Sequence, residues 1–232
     1  MVHLDERNAE RPQMVTGGDS TVTEDANIQV LRSPEGNTTL RIENGQAVQG
    51  WESELMEESA RLLCSYGSEF LEVGLGFGFS ALAIARHPNT SRHVVLEKHA
   101  QVIEMFREGV SELPSTLEIR HADFFSVVSE LPSESFDGIF FDPALPMSVW
   151  RDQRLWDEVV PKLVKVLRNG GVLIPFFSTR PVLRQQYLPY FSRIVVERRQ
   201  YEAYEDTVYT RGTSGDAYIQ CFIKDGPSAV TI

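Results

Sequence analysis

Cysteine is almost absent from this chain: the 232 residues hold two, Cys64 and Cys221, far apart and in no CxxC pair. Neither a disulfide framework nor a cysteine metal site is therefore expected, and the expected compartment is a reducing one. Positive charge is also scarce. Lys and Arg number 22 against 33 Asp and Glu, for a net charge of -11. That sign opposes binding to nucleic acid or to an anionic membrane surface and favours a small cationic or zwitterionic partner. No apolar run approaches the roughly 20 residues of a membrane span. Asp5, Glu6 and Arg7 stand where a signal peptide would need an apolar core. The expectation is a cytoplasmic protein, monomer or homodimer, with neither nucleic acid nor membrane as partner and no metal. No internal repeat or low-complexity tract is visible.

What is present is centred on Phe70-Leu71-Glu72-Val73-Gly74-Leu75-Gly76-Phe77-Gly78-Phe79-Ser80. An apolar run of strand character leads in, three glycines at alternate positions turn the chain, and the amphipathic segment Ala81 to Arg86 leads out. This is the strand, turn, helix order of a nucleotide-cofactor loop. The spacing is G-x-G-x-G, with Phe79 where a dinucleotide loop would have its third glycine, and Glu72 precedes the turn by two residues. A fixed carboxylate there would repel a pyrophosphate and suits a ligand with positive charge, such as the sulfonium and amino group of S-adenosylmethionine (SAM). Val94-Val95-Leu96-Glu97 reads as a second buried strand ending in an acid about 20 residues past the glycines, where ribose hydroxyls are met. The alternative is that the glycines make a tight corner and Glu97 faces water.

The rest of the chain supplies a frame for that loop. Residues 1–27 are polar and aperiodic and read as a tail, as does 225–232. Ile28 to Arg32 and Thr38 to Ile42 flank Ser33-Pro34-Glu35-Gly36-Asn37 as a hairpin. Trp51 to Tyr66 has helical periodicity, with Leu55, Met56, Ala60, Leu62, Leu63 and Tyr66 on one face. Glu52 falls on that apolar face. Either it is buried against a cation or it merely complements the helix dipole in a wet first turn. Residues 28–66 are thus expected to cap a site carried by the core, 67–224.

Beyond the loop, strands are expected at 92–97, 116–121, 136–141 and 171–177, with helices at 99–112, 124–130 and 151–168. A closing pair of strands is read at 194–198 and 218–223, with a polar, tyrosine-bearing loop between them. Alternation of this kind specifies an α/β fold with a doubly wound, mainly parallel seven-stranded sheet, Rossmann-like, whose ligands lie at the carboxyl ends of the strands. Glu72, Glu97, Asp123 and Asp142 are expected to converge there. Asp123 would meet an adenine amine, with Phe124 to stack on it, or else cap the short helix that follows. Asp142 is either aimed into the site by a rigid strand or starts the turn before Pro143 and Pro146. His121 has no metal partner near it. Pro161 should kink or split its helix, and Asn169-Gly170-Gly171 should stop it. Ser178, Thr179 and Arg180 follow the fifth strand, with Arg184 one turn on; these residues either hold a substrate carboxylate or leave their arginines solvated at the surface.

Taken together, Leu40-Arg41-Ile42, Val48, Gly50-Trp51-Glu52, Met56, the glycine loop, Phe136-Asp137-Gly138-Ile139, Phe141-Asp142, Pro146 and Gly170-Gly171-Val172-Leu173 make the chain similar to class I SAM-dependent methyltransferases. More narrowly, it resembles guanidinoacetate N-methyltransferase and relatives that methylate arginine guanidino groups. The likeness runs from about Leu40 to Leu173, and Trp51-Glu52 ahead of the loop is its most specific sign. It implies that Glu52 and Asp142 hold a substrate guanidinium; Trp51 and, from their place after the fifth strand, Ser178, Thr179 and Arg180 are expected beside them. It also implies that SAM is held by Val48, Met56, Glu72, Gly74, Leu75, Gly76, Gly78 and Phe79, then by Glu97, Lys98, Asp123, Phe124 and Asp142. The chain departs from the family at Pro143, at Phe124 where a tryptophan is usual, and in a shorter segment after Phe177 that contains Arg180. Guanidinoacetate itself is therefore not assigned.

Overall fold

Short β-branched and aromatic runs, spaced by amphipathic segments, become the strands of one sheet and the helices on its faces. The structure, a computed structural model, describes residues 27–225, so the two expected tails fall outside it but for one residue each. In chain order the elements are β1 (Ile28–Arg32), β2 (Thr38–Ile42), β3 (Gly45–Gln49), α1 (Ser53–Leu63), β4 (Glu69–Val73), α2 (Phe79–Arg86), β5 (Arg92–Glu97) and α3 (Ala100–Gly109). They continue with β6 (Leu117–His121), α4 (Phe124–Val127), β7 (Phe136–Phe141), α5 (Met147–Trp150), α6 (Gln153–Val166), β8 (Leu167–Pro175), β9 (Arg193–Glu202) and β10 (Ser214–Ile223).

The main sheet has seven strands in the order β6-β5-β4-β7-β8-β10-β9. It is parallel from β6 to β8, and β10 runs antiparallel to both its neighbours. This is the expected doubly wound sheet. Strand direction of connection reverses about β4, so the crevice beyond the carboxyl ends of β4, β5 and β7 is where a ligand is accommodated. The central strands are buried on both sides, which is why they read as continuous apolar runs. Successive residues go to opposite faces: Leu71, Ile139, Phe141 and Leu173 pack with Trp156, Val160 and Leu163 of α6, while Phe70, Phe140, Val172 and Ile174 pack with Leu55, Met56, Ala60 and Leu63 of α1. Each such side chain contributes about 1.5–3 kcal/mol on burial.

β1, β2 and β3 form a separate antiparallel sheet. The hairpin is as expected; β3 is an addition, since Gly45-Gln46-Ala47-Val48-Gln49 carries too few apolar residues to announce a strand. Leu40 and Val48 pack against Leu75 and Ala81, so this small sheet covers the glycine loop.

The helix expected over 151–168 is α6, begun two residues later at Gln153, where the Asp152 carboxylate caps it by accepting the Leu155 N–H at 3.2 Å; the short α5 before it was not expected. Two expectations on this stretch are corrected, at Pro161 and at Asn169-Gly170-Gly171. Pro161 does not split α6, because it lies on the solvent face, where the carbonyl it deprives of a donor belongs to exposed Asp157. Asn169-Gly170-Gly171 does not stop the helix, which has already ended at Val166. These residues belong to β8 and take up a break in the β7–β8 register between Phe136 and Gly138.

The amino ends of β4 and β7 are tied shut. Arg168 reaches Glu69 and, at 2.8 Å, Asp137, which also accepts the N–H groups of Ser68 and Glu69 at 2.8 and 2.9 Å. Burial pushes the Asp137 carboxyl up, but Arg168 and the two amides outweigh it and hold the group below its ordinary range.

Candidate active site

At the opposite end of the sheet, the three glycines turn the chain from β4 into α2. All three have positive φ: 92° at Gly74, 53° at Gly76 and 78° at Gly78. A Cβ on Gly74 would stand 2.4 Å from the Asp142 carbonyl oxygen, and one on Gly78 would stand 2.1 Å from the Phe106 ring. Glycine is therefore required both by conformation and by the closeness of β7 and α3. The loop hangs from its neighbours by the Gly74 N–H to the Leu96 carbonyl at 2.9 Å and by the Leu75 N–H to Glu97 Oε2 at 2.9 Å.

Around this turn lies a cavity of about 740 Å³. Its floor is the glycine loop with Phe79 and Ser80, one wall is Glu97, Lys98, Asp123, Phe124 and Phe125, and the other is Asp142 to Pro146 with Val149. Val48 and Met56 close it from the small sheet and α1. Among the residues expected to hold a cofactor, all but Glu72 line this cavity.

Their roles in the fold can be stated. Glu97 is nearly buried, and each oxygen takes one backbone N–H, Oε2 from Leu75 and Oε1 from His99 at 2.8 Å. A carboxylate has further acceptor sites, so a fixed Glu97 can still accept from vicinal hydroxyls. Asp123 caps α4 by accepting the Phe125 N–H at 2.9 Å and pairs with Lys98 Nζ at 3.0 Å, so the capping reading of this residue holds together with its place at the cavity. Phe124 reaches the cavity, but its ring is core, edge-on to Phe141 and Phe125; Phe125 is the partly exposed aromatic on that wall.

Glu72 differs from expectation. Its side chain lies beneath α2, where Oε1 accepts the Ser80 hydroxyl at 2.5 Å and Oε2 stands 3.0 Å from His93 Nε2. It fixes the start of α2 from behind. The strand's alternation decides this, since Val73 points to the other face. Ser178, Thr179 and Arg180 also lie away from the cavity. The Ser178 hydroxyl turns the chain locally, donating to the Arg180 carbonyl at 2.9 Å and accepting its N–H. Thr179 borders a separate hollow with Arg211 and Asp216, so Ser178, Thr179 and Arg180 are corrected as parts of the cavity that Asp142 lines. The arginine that turns inward is Arg184, which donates to the Phe176 carbonyl at 2.7 Å, lies over the Trp150 ring and senses Asp142.

Glu52 is fully buried. A 3-10 turn, Gly50–Glu52, leads into α1, and Glu52 folds back in a capping box to accept the Gln49 N–H at 2.6 Å. The same Oε1 accepts the Tyr209 hydroxyl, whereas Oε2 is buried with no hydrogen-bond partner among the described residues. Burial raises the Glu52 pKa from 4.5 to about 7, against the lowering effect of Tyr209 and the Gln49 amide. Asp142, at the end of β7, is driven well above its usual range by burial first and then by the charges of Glu52 and Glu72, with Arg184 opposing. The charge of Glu52 thus acts on Asp142, 90 residues away in sequence; Asp142 lines the cavity, whereas Glu52 lies behind it and does not. Trp51 stands beside them, its indole N–H donating to Gln49 Oε1 at 3.0 Å and its ring stacked on Tyr209.

Sequence reasoning missed Tyr209, Gln49 and Thr207, whose hydroxyl donates to Gln49 Oε1 at 2.6 Å. The available signal was chemical: a carboxylate on an apolar helix face needs a donor, and the loop between the last two strands is rich in tyrosine. Among the described residues, no group of three or more His, Cys, Asp or Glu is placed to hold a metal ion, and no helix is long and apolar enough to cross a membrane.

A cradle of three left-handed glycines, an acid fixed at the end of the next strand and an apolar wall suit a nucleoside. Glu97, Asp123 and Asp142 line the cavity against one cation, Lys98, which is paired with Asp123, and this acidic balance suits a cationic sulfonium. The residues present therefore fit SAM.

Known proteins agree with this reading. Residues 17–195 match the family model described as guanidinoacetate N-methyltransferase. Protein arginine N-methyltransferase 2 of Emericella nidulans is 29% identical over 144 residues, which cover 56% of this chain and 34% of that protein. The chain thus spans about a third of that relative's length. Spermidine synthase from Thermotoga maritima has the same fold, with a TM-score of 0.64 at 14% identity over 87% of this chain and 70% of the other. The N-methyltransferase NodS of Bradyrhizobium japonicum gives a TM-score of 0.56 at 20% identity over 76% of this chain and 97% of its own. A sequence match that takes in well over half of the chain, and runs through Glu52, the glycine loop and Asp142 alike, makes this protein a member of the guanidinoacetate N-methyltransferase family, with the class I SAM-dependent methyltransferase fold.

Proposed function

We propose that this protein transfers the methyl group of SAM to a guanidino nitrogen of a small cationic or zwitterionic molecule, such as arginine or a guanidino acid. The observation that carries the reading is the buried, unpartnered Oε2 of Glu52, a carboxylate whose charge acts on Asp142 in the cavity wall. Two buried carboxyl groups, with Asp142 raised further by the charge of Glu52, are costly in isolation. A planar cation with five N–H donors relieves both at once, through paired charge-assisted hydrogen bonds.

The residues then have distinct tasks. Gly74 to Gly78 and Glu97 hold the nucleoside side of the cofactor, with Asp123, Lys98 and Phe125 around the base. When bound, SAM supplies an electrophilic methyl on a sulfonium. Glu52 and Asp142 orient the guanidinium so that one nitrogen faces that methyl. A guanidinium has a pKa above about 12 and is no nucleophile, so its proton must leave as the new bond to carbon forms. Glu52, with a pKa of about 7, is poised to take that proton near neutrality. Trp51 excludes water behind it.

The test is mass spectrometry after incubation with SAM and, separately, guanidinoacetate, arginine, agmatine, an arginine-containing peptide, a diamine and a catechol. Methylation confined to guanidines, and lost in Glu52→Gln, is expected. Methylation of the diamine or catechol alone would overturn the reading in favour of an amine- or O-methyltransferase.

A further inference from the structure

The segment between β9 and β10, residues 203–213, crosses the molecule to lie on β3 and the turn that carries Glu52. Gln46 takes part twice, donating from Nε2 to the Asp206 carbonyl at 2.9 Å and accepting the Val208 N–H at 3.0 Å. Gln49 donates to Asp206 Oδ1 at 3.2 Å and accepts from Thr207. The approach is so close that a Cβ on Gly50 would stand 2.6 Å from the Tyr204 hydroxyl. At the end of this strap, Tyr209 stacks on Trp51, ring centroids 6.1 Å apart at 23°, and donates its hydroxyl to Glu52 Oε1.

We propose that Tyr209 is a positioning residue for Glu52, holding Oε1 so that Oε2 alone is presented to the guanidino group. The proposal rests on the function proposed above. A carboxylate turns readily about its last side-chain bond, where the torsional wells are broad and two-fold. With the Gln49 N–H as its one partner, Glu52 could exchange its oxygens and point either at the substrate. A second donor from the opposite side, on the same oxygen, removes that freedom. Neither Tyr209 nor Glu52 lines the cofactor cavity, so the effect of Tyr209 falls on Glu52 and not on the cofactor's own contacts.

The charged and titratable groups around Glu52 come from two directions. Tyr209 faces it from the strap, and Asp142 faces it from the end of β7, with Glu72 and Arg184 acting on Asp142 in turn. Asp206 reaches no further than the Gln49 amide. Of these, Tyr209 alone donates a hydrogen bond to Glu52, and it favours the ionised carboxylate.

Tyr209→Phe keeps the ring on Trp51 and deletes the hydroxyl. Binding of agmatine and of guanidinoacetate to the protein loaded with S-adenosylhomocysteine is followed by calorimetry from pH 5 to 9, with kcat/KM measured over the same range and Glu52→Gln run in parallel. Affinity and kcat/KM at neutral pH are expected to fall about 10- to 100-fold, consistent with loss of a hydrogen bond to a charged group. The acid limb of both profiles is expected to move up by about one pH unit, since the ionised form has lost its donor. SAM affinity should stay at the wild-type value, which also shows that the variant is folded. Profiles that superpose on wild type while Glu52→Gln is inactive would overturn the role of Tyr209 alone. Full activity and binding in Glu52→Gln would instead overturn the guanidine reading on which that role depends.

Discussion

The Leu75 amide donates to Glu97 Oε2 at 2.9 Å, so the middle of the glycine loop and the end of β5 are one piece, although 22 residues separate them. Glu97→Ala removes that acceptor and the one for the His99 amide together. Leaving buried donors unpaired costs about 1–3 kcal/mol each. The variant should melt earlier and bind SAM at least about tenfold more weakly, because each 1.4 kcal/mol lost from binding is tenfold. Calorimetry giving wild-type SAM affinity would remove Glu97 from the cofactor site.

Gly74 and Gly36 both have φ near 90°, but their surroundings differ. A Cβ on Gly74 meets the Asp142 carbonyl at 2.4 Å, whereas one on Gly36, at the tip of the β1–β2 hairpin, meets nothing within 4 Å. Gly36→Ala should therefore lose only the roughly 1–2 kcal/mol of left-handed strain and leave SAM binding intact. Gly74→Ala should lose more stability and also SAM affinity, since loop and Asp142 must move apart. Thermal melts with and without SAM distinguish the two.

The pKa of Glu52 sets a sign for stability. Folding raises it from 4.5 to about 7, so between those values the folded state holds a proton that the unfolded chain has released. Stability then falls as pH rises through this window and is lowest above it. The whole shift corresponds to about 3 kcal/mol. Glu52→Gln should accordingly melt higher than wild type above pH 7, with the difference shrinking below pH 4.5. Equal melting temperatures at pH 8 would show that Glu52 carries no such burden.

At the other end of the sheet, Arg168 ties Glu69 and Asp137 far from the cavity. Arg168→Met should lower stability by about 1–3 kcal/mol, in the range for unpairing charged partners, while leaving SAM affinity unchanged. Denaturant melts and calorimetry check it.

Much of the fold was legible in the chain because central strands buried on both faces leave apolar runs, and the glycine turn leaves a fixed spacing. Glu97 and Asp142 could be placed since each ends such a run. Glu52 could be flagged as an acid on an apolar face, but its partner could not be found. Tyr209 lies 157 residues away in a segment without periodicity, and local pattern does not encode contacts of that separation. β3 was missed because Gly45 to Gln49 is held by pairing with β2 and covered by the strap, rather than by its own hydrophobicity. Ser178 to Arg180 were placed by counting from the end of a strand, and the Ser178 turn, which bends the chain away, has no mark in that count. Glu72 was assigned by its distance from the turn, whereas the face of β4 on which it sits decides what it touches.

The central claim is that Glu52 and Asp142 together recognise one delocalised cation. It is tested most directly by titrating arginine and its uncharged urea counterpart, citrulline, into the protein loaded with S-adenosylhomocysteine. The account predicts that arginine binds at least about 100-fold more tightly, the 2.7 kcal/mol or more expected when buried carboxylates lose a charged partner, and that Glu52→Gln abolishes the preference. Equal affinity for the two compounds would contradict it.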